Sequence, residues 1–190
     1  MRFSTILLGA LAAVTASATP TSCPPPKPNK EFGVVAIHAG SGVHNQAFNA
    51  ALRSLFAGLP DQNAQCKRSN EKFATFYLKD GALFLYTPKS AEKQQIFVDR
   101  SGMGMGKIGY LTGDEGKPRY AELTGWSING DNHLQFAGSD LVACPNSLNG
   151  SWSIWASGFK TPGHNQNCID IASRVEYTKD PNPCVYSRSP

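Results

Sequence analysis

Only a few residues of this chain have the type and the spacing that chemistry requires. Histidines are the first candidates, because an imidazole serves as a general base or a metal ligand near neutral pH. The chain has four of them, His38, His44, His133 and His164. No C-x-x-C or H-x-x-x-H pair accompanies them, so the spacing typical of a zinc site is missing. The sequence predicts surface histidines and no metal site.

Acidic residues and nucleophiles give an equally weak catalytic signal. Asp99, Asp114, Glu115 and Glu122 lie in the middle of the sequence. Two of them could form a glycosidase pair, but that requires a set separation across a cleft, which a sequence does not contain. No serine stands in a G-x-S-x-G elbow. We therefore expect a protein that is not an enzyme and needs no cofactor.

The glycine-rich segment G-M-G-M-G-K at residues 102–107 resembles a phosphate-binding loop only superficially. A P-loop needs Ser or Thr after its lysine, whereas residue 108 is Ile. A dinucleotide fingerprint needs a third glycine at position 107 and a following helix. The segment is better interpreted as a flexible connection between two strands.

Aromatic side chains offer the strongest binding chemistry. The three tryptophans are Trp126, Trp152 and Trp155. A flat apolar ring can stack on the C–H face of a sugar, so all three are candidate carbohydrate-stacking residues, and core packing is the alternative. Side chains alternate along a strand, so Trp152 and Trp155 should lie on opposite faces of one strand.

Modification chemistry involves an asparagine and the cysteines. Asn149 begins the only N-x-[ST] sequon, so we expect an accessible loop that carries an N-glycan. In a secreted protein the five cysteines, Cys23, Cys66, Cys144, Cys168 and Cys184, indicate disulfides with one thiol left over. Cys23 lies among prolines and is expected to be free or to pair with another molecule. The other four allow three pairings.

The elements that must position these residues are short strands. Between residues 109 and 155, aromatic and β-branched runs alternate with Gly, Asn, Asp and Pro clusters, a pattern typical of an all-β sandwich or barrel. Hairpins are predicted at Asp80-Gly81 and at residues 129–132. Residues 169–177 alternate strictly and form the last long strand of some nine or ten. Residues 43–58 fit either a helix, because apolar residues recur at 48, 52, 55 and 56, or a short strand at 54–57.

The N-terminus indicates export. Residues 1–18 contain a positive residue, a short apolar run and an A-x-A site, which together predict a signal peptide cleaved before Thr19. Residues 19–31 form a Pro-rich arm, and residues 32–190 form a single all-β domain. A net charge of +4 without basic clusters gives no indication of nucleic-acid binding. No later apolar run is long enough to span a membrane, so a secreted, extracellular protein is predicted.

Several motifs of the C-terminal half resemble the fungal cell wall protein PhiA family. They are G-Y-L-T-G-D-x-G-x-P-R at 109–119, G-W-S at 125–127, L-Q-F-x-G-S-D-L-x-A-C-P at 134–145, W-S-I-W at 152–155, P-G-x-N-x-x-C at 162–168, A-x-R-V at 172–175 and N-P-C-x-Y-S at 182–187. The resemblance implies a small secreted protein of filamentous ascomycetes, associated with the cell wall and with the development of spore-bearing cells. Some members are recognised as allergens. The family's four-cysteine pattern falls on Cys66, Cys144, Cys168 and Cys184.

Together these observations predict an antiparallel β-sandwich or partly closed β-barrel with two disulfides. We expect Cys66 to pair with Cys144 and Cys168 with Cys184, the second because those two cysteines flank one long strand. The predicted function is that of a secreted, non-enzymatic cell wall protein whose partners are wall polysaccharides or other wall components. The alternative is a secreted binding module or effector that engages a polysaccharide or a host molecule.

Overall fold

The computed structural model describes residues 31–69 and 71–188, so the predicted signal peptide, most of the Pro-rich arm and Cys23 lie outside the described residues. The described part is all-β, as predicted, with two single turns of 3-10 helix at Leu148–Gly150 and Pro162–His164. Its strands are β1 Phe32–Ile37, β2 Gln46–Ala51, β3 Ser54–Ala57, β4 Gln65–Cys66, β5 Phe76–Lys79, β6 Ala82–Leu85, β7 Gln94–Asp99, β8 Lys107–Thr112, β9 Ala121–Glu122, β10 Trp126–Ile128, β11 Leu134–Phe136, β12 Leu141–Cys144, β13 Trp152–Ala156, β14 Ile169–Tyr177 and β15 Cys184–Val185.

The main sheet closes on itself as a barrel, which decides between the two predicted architectures. From β1 the antiparallel pairings run through β14, β12, β13, β3, β8, β7, β6 and β5 and return to β1. Strand β2 connects β1 with β3 across this ring, and β9 extends it beside β7. Closure satisfies strand edges that would otherwise be open to pairing with other chains.

Alternating side chains fill the barrel. In β1, Phe32, Val34 and Ala36 are buried, and the residues between them are partly exposed. The predicted final strand has the predicted bounds as β14, and Ile171 and Val175 on its inward face are buried. This alternation in strand after strand makes one continuous core.

Residues 43–58 form a hairpin, so the helical alternative is wrong. Strands β2 and β3 pair from Phe48 opposite Ala57 to Ala51 opposite Ser54. The two turn residues, Leu52 and Arg53, both have positive φ, as a type I′ turn requires. Neither is a Gly, Asn or Asp, so the sequence lacks the usual signal for this turn.

Both predicted disulfide pairings are wrong. Cys66 pairs with Cys184, and Cys144 pairs with Cys168. Cys66 and Cys184 lie directly opposite each other in the β4–β15 pair. Ala143 lies opposite Ile169 in the β12–β14 pair, so the next residue of β12, Cys144, meets the residue before β14, Cys168. Strand register, not distance along the chain, selects the partners.

Hydrogen bonds from several of its polar groups attach the C-terminal N-P-C-x-Y-S segment, residues 182–187, to the rest of the fold. Asn182 exchanges two hydrogen bonds with the backbone of Arg68, at 2.8 and 2.9 Å. The backbone N–H of Tyr186 donates to Gln94 Oε1, and Gln94 Nε2 donates to the Tyr186 carbonyl. The Tyr186 hydroxyl accepts from the Thr75 N–H at 3.1 Å. The family motif therefore has a structural role.

Candidate functional site

Trp126, one of the three predicted stacking residues, belongs to the core. Only 2% of its surface is exposed, and its ring packs edge-on against Phe136 with 5.1 Å between ring centroids. The two residues lie opposite each other in the β10–β11 hairpin, which turns this apolar face inward. Trp126 is therefore unable to stack on a sugar, and its prediction as a binding residue is wrong.

Trp152 and Trp155 lie on opposite faces of β13, as the alternation of a strand requires. Trp152 is half-buried and packs against the main core, on the same face as the buried Ile154. Trp155 shares the other face with Ser153 and is partly exposed. Of the three tryptophans, Trp155 is the one best placed to meet a ligand.

A small crevice of about 200 Å³ opens beside Trp155. Its lining includes Ser54 of β3, Lys107 of β8 and Asn165. The indole Nε1 of Trp155 donates to Ser153 Oγ at 2.9 Å, which fixes the orientation of the ring. The crevice thus combines one aromatic ring with several hydroxyl, amide and ammonium groups that can donate or accept hydrogen bonds.

Lys107 supplies the positive charge of this crevice. Its Nζ donates to Ser54 Oγ at 2.9 Å and lies 5.8 Å from the centroid of the Trp155 ring. Burial disfavours the ammonium and lowers the pKa of Lys107. No ion pair of the described residues includes this side chain, and Ser54 uses only one of the three N–H donors of the ammonium.

The turn Pro162–His164 packs against the ring of Trp155, beside the crevice. A side chain at Gly163 would place its Cβ 2.2 Å from Cη2 of Trp155, so only glycine allows the turn to lie this close. Asn165 Nδ2 donates to the Pro162 carbonyl at 2.8 Å and fixes the turn. The P-G-x-N part of the family motif therefore positions the ring of Trp155.

The glycine-rich segment is a tight connection between β7 and β8. Its backbone bonds include Gly106 N–H to the Asp99 carbonyl at 2.9 Å. A Cβ at Gly104 would lie 2.2 Å from Asp99 Cγ, and one at Gly106 would lie 2.6 Å from the Ala156 carbonyl oxygen. These glycines are explained by close packing of the loop against its neighbours.

Three of the four acidic residues considered for a glycosidase pair have structural partners. Glu115 pairs with Arg53 at 2.7 Å. Both carboxylate oxygens of Glu122 accept hydrogen bonds from Arg100, one from Nε and one from Nη2, and these bonds lower the pKa of this carboxyl. Asp99 Oδ1 accepts from the Ser101 N–H at 2.9 Å. Each of these three carboxylates is thereby held by a neighbouring group.

The remaining predicted positions have simple surroundings. His38 Nδ1 lies 2.7 Å from the carbonyl oxygen of Asp170. The backbone N–H of His38 donates to His44 Nδ1 at 3.3 Å. Within residues 31–69 and 71–188, no three His, Cys, Asp or Glu side chains come together as metal ligands would. Asn149 is exposed at positive φ in its 3-10 turn, and its glycan stays a prediction.

Sequence reasoning missed a second surface, on the outer face of the β5–β6 hairpin. Tyr77 and Lys79 on β5, with Phe84 of β6 and Tyr86 just after it, alternate with buried residues. The alternation was present in the sequence F-Y-L-K-D-G-A-L-F-L-Y. It signals an aromatic outer face once both strands of the predicted hairpin are considered together.

Comparison with known proteins identifies the family. The family model of PhiA-like secreted proteins matches residues 32–187. The chain belongs to the PhiA-like secreted protein family. It is 55% identical to "Cell wall protein phiA" of Aspergillus fumigatus over 189 residues, which cover 99% of this chain and 100% of that protein. No solved structure matches this chain.

More distant PhiA-like proteins align almost as completely. The identity is 54% with the protein of the same name from Aspergillus niger, covering 93% of this chain and 95% of that one. With the Arthroderma benhamiae protein it is 40%, covering 88% and 91%. The family and the names of these relatives confirm the predicted resemblance and the predicted secreted, cell wall location. None of the helices described is long and apolar enough to cross a membrane.

Proposed function

We propose that this PhiA-like protein is a non-enzymatic component of the fungal cell wall that contributes to wall structure and to the development of spore-bearing cells. The observation that carries the proposal is the full-length similarity to proteins named cell wall protein phiA. The geometry supports a structural role, because a closed barrel with two disulfides resists unfolding outside the cell.

Wall polysaccharide is the proposed partner, with Trp155 as the main stacking residue. The ring is held in one orientation by Ser153 and Gly163, so little side-chain entropy is lost when a sugar packs on it. Lys107, Ser54 and Asn165 provide donors and acceptors for sugar hydroxyls around the ring. Lys107 and Ser54 are hydrogen-bonded to each other in the crevice, and we propose that they bind the sugar without cleaving it.

The test expresses the wild type and two variants in a fungus that lacks its own copy of the gene. Wall-bound and medium fractions are measured, and spores are counted. We expect the wild-type protein in the wall fraction and part of the Trp155→Ala protein in the medium. The ratio of wall-bound to free protein should be up to about tenfold lower for this variant than for the wild type. The matched control, Tyr120→Ala, removes an aromatic ring that is 52% exposed elsewhere and should leave the ratio unchanged.

Two outcomes would contradict the proposal. A wild-type protein found entirely in the medium, with normal spore numbers in its absence, would favour the alternative of a secreted binding module or effector. Turnover of chromogenic glycosides or esters by the purified protein, abolished by one acidic or serine substitution, would contradict the non-enzymatic role. Unchanged wall binding of Trp155→Ala would refute only the role of that ring.

A further inference from the structure

The outer face of the β5–β6 hairpin carries a row of three aromatic rings. Tyr77 and Phe84 lie directly opposite each other, with ring centroids 5.0 Å apart and ring planes only 10° from parallel. Tyr86 follows Phe84 by two residues and therefore projects from the same face. All three rings are only partly buried, so the row remains accessible to solvent.

A groove of about 510 Å³ runs along this row. Tyr77 and Tyr86 line one part of it, and the segment after Tyr86, including Pro88 and Ala91, lines another. The groove is larger than the Trp155 crevice and includes the flat or rigid side chains of Tyr77, Tyr86 and Pro88. Rigid aromatic and proline surfaces bind an extended polymer at a low cost in conformational entropy.

The rim of the groove is positively charged. Lys79, Lys89 and Lys93 all line it and are exposed, and Glu31 is the single acidic residue among the described lining. None of these three lysines takes part in an ion pair within the described part of the chain. The neighbouring Glu92 pairs with Arg188 instead. The groove thus has a net excess of two positive charges that have no protein partner.

We propose that this groove binds an acidic polysaccharide. Sugar rings would pack on Tyr77 and Tyr86, and phosphate or carboxylate groups along the polymer would pair with the lysines. An ammonium on a flexible stem pairs with an anion from many directions, which suits charges spaced irregularly along a polymer. The net positive charge of the rim attracts an anionic polymer and gives no such attraction to a neutral one, so charge complementarity favours an acidic glycan.

This inference rests on the proposed function and deepens it by naming the chemical class of the wall polymer. The experiment measures binding of the purified secreted protein to three probes by affinity electrophoresis and titration calorimetry. The probes are a phosphorylated mannan, the same mannan without phosphate, and polygalacturonate. We expect binding to the acidic probes, little binding to neutral mannan, and weaker binding as ionic strength rises. Comparing the two acidic probes identifies phosphate or carboxylate as the preferred group.

Two double variants of equal charge test the location. Lys89→Gln with Lys93→Gln should weaken binding of the preferred acidic probe about tenfold, the usual effect of losing two exposed ionic contacts. Lys117→Gln with Lys179→Gln removes the same charge from exposed positions outside the groove and should change binding less than twofold. Tyr77→Ala should also weaken binding, provided that its unfolding midpoint shows an intact fold. Tyr86→Leu is the second variant if Tyr77→Ala does not fold.

The proposal is overturned if both lysine pairs reduce binding equally or if neutral mannan binds as tightly as the acidic probes. Its failure is separable from that of the proposed function. A protein that resides in the wall but binds no acidic glycan refutes the groove alone. A protein that binds acidic glycan in vitro but never resides in the wall refutes the proposed function alone.

Discussion

The two disulfides should contribute unequally to stability, because they close loops of very different length. Cys66 and Cys184 are 118 residues apart, whereas Cys144 and Cys168 are 24 apart. The chain-entropy relation gives about 4.9 kcal/mol for the first bridge and about 3.5 kcal/mol for the second. The difference, about 1.4 kcal/mol, depends only on the ratio of the two loop lengths.

The variants Cys66→Ala/Cys184→Ala and Cys144→Ala/Cys168→Ala are well matched for this comparison. Each removes one fully buried sulfur, from Cys184 or Cys144, and one partly exposed sulfur, so the losses of packing are similar. Guanidinium unfolding followed by tryptophan fluorescence gives the free energy of each variant. We expect the Cys66/Cys184 variant to be less stable by about 1.4 kcal/mol, and to melt about 3–6 °C lower.

Equal stabilities, or a Cys144/Cys168 variant that is the less stable of the two, would refute the reasoning from loop length. Peptide mapping of the non-reduced wild type provides an independent check. A peptide linking Cys66 to Cys144 would contradict the strand register on which the pairing depends.

Two further predictions concern buried aromatic residues. Trp126→Ala should lower the free energy of unfolding by about 3–5 kcal/mol, because this side chain is buried in the core. Trp155→Ala should lower it by only about 1 kcal/mol, because this side chain is partly exposed. Equal losses in denaturant unfolding would show that Trp155 also belongs to the core. Burial raises the pKa of Tyr186, and it raises the pKa of Tyr110 to about 12. Above pH 10 the unfolded state therefore loses phenol protons that the folded state keeps. The free energy of unfolding should fall from pH 10 upward. Tyr186→Phe should lower the free energy of unfolding at neutral pH by about 1–3 kcal/mol, because the Thr75 N–H loses its acceptor. It should also make the fall in stability above pH 10 shallower by about 1.4 kcal/mol per pH unit. A slope equal to that of the wild type would contradict this assignment, and Tyr120→Phe is the exposed control.

Local features of the fold were predictable because a single strand or hairpin contains its own signal. The bounds of β14, β10 and β11 follow from alternation and from turn residues within a few positions. The β2–β3 hairpin was ambiguous because Leu52 and Arg53 adopt positive φ without the residues that usually do so. Here the burial of both strands in the barrel overrides the local preference.

Pairings between distant strands were not predictable, and the wrong disulfides follow directly from that. Cys168 is closer in sequence to Cys184 than to Cys144, but β14 lies beside β12 and carries Cys168 to the end of that strand. The burial of Trp126 was not predictable for the same reason, because it depends on where the β10–β11 hairpin packs. Alternation assigns a residue to one of two faces, and only tertiary packing decides which face is covered.

Arginines and lysines have different partners in this structure. All ion pairs found within residues 31–69 and 71–188 use arginine as the cation, at Arg53, Arg68, Arg100, Arg174 and Arg188. A guanidinium holds a carboxylate with two parallel hydrogen bonds and so fixes neighbouring segments, as Arg100 does with Glu122. Lysines pair less rigidly; Lys107 lines the crevice, and Lys79, Lys89 and Lys93 line the groove beside Tyr77 and Tyr86. Loss of a groove lysine should therefore weaken the binding of an anion, whereas loss of one of these exposed arginine pairs should cost at most about 1 kcal/mol of stability.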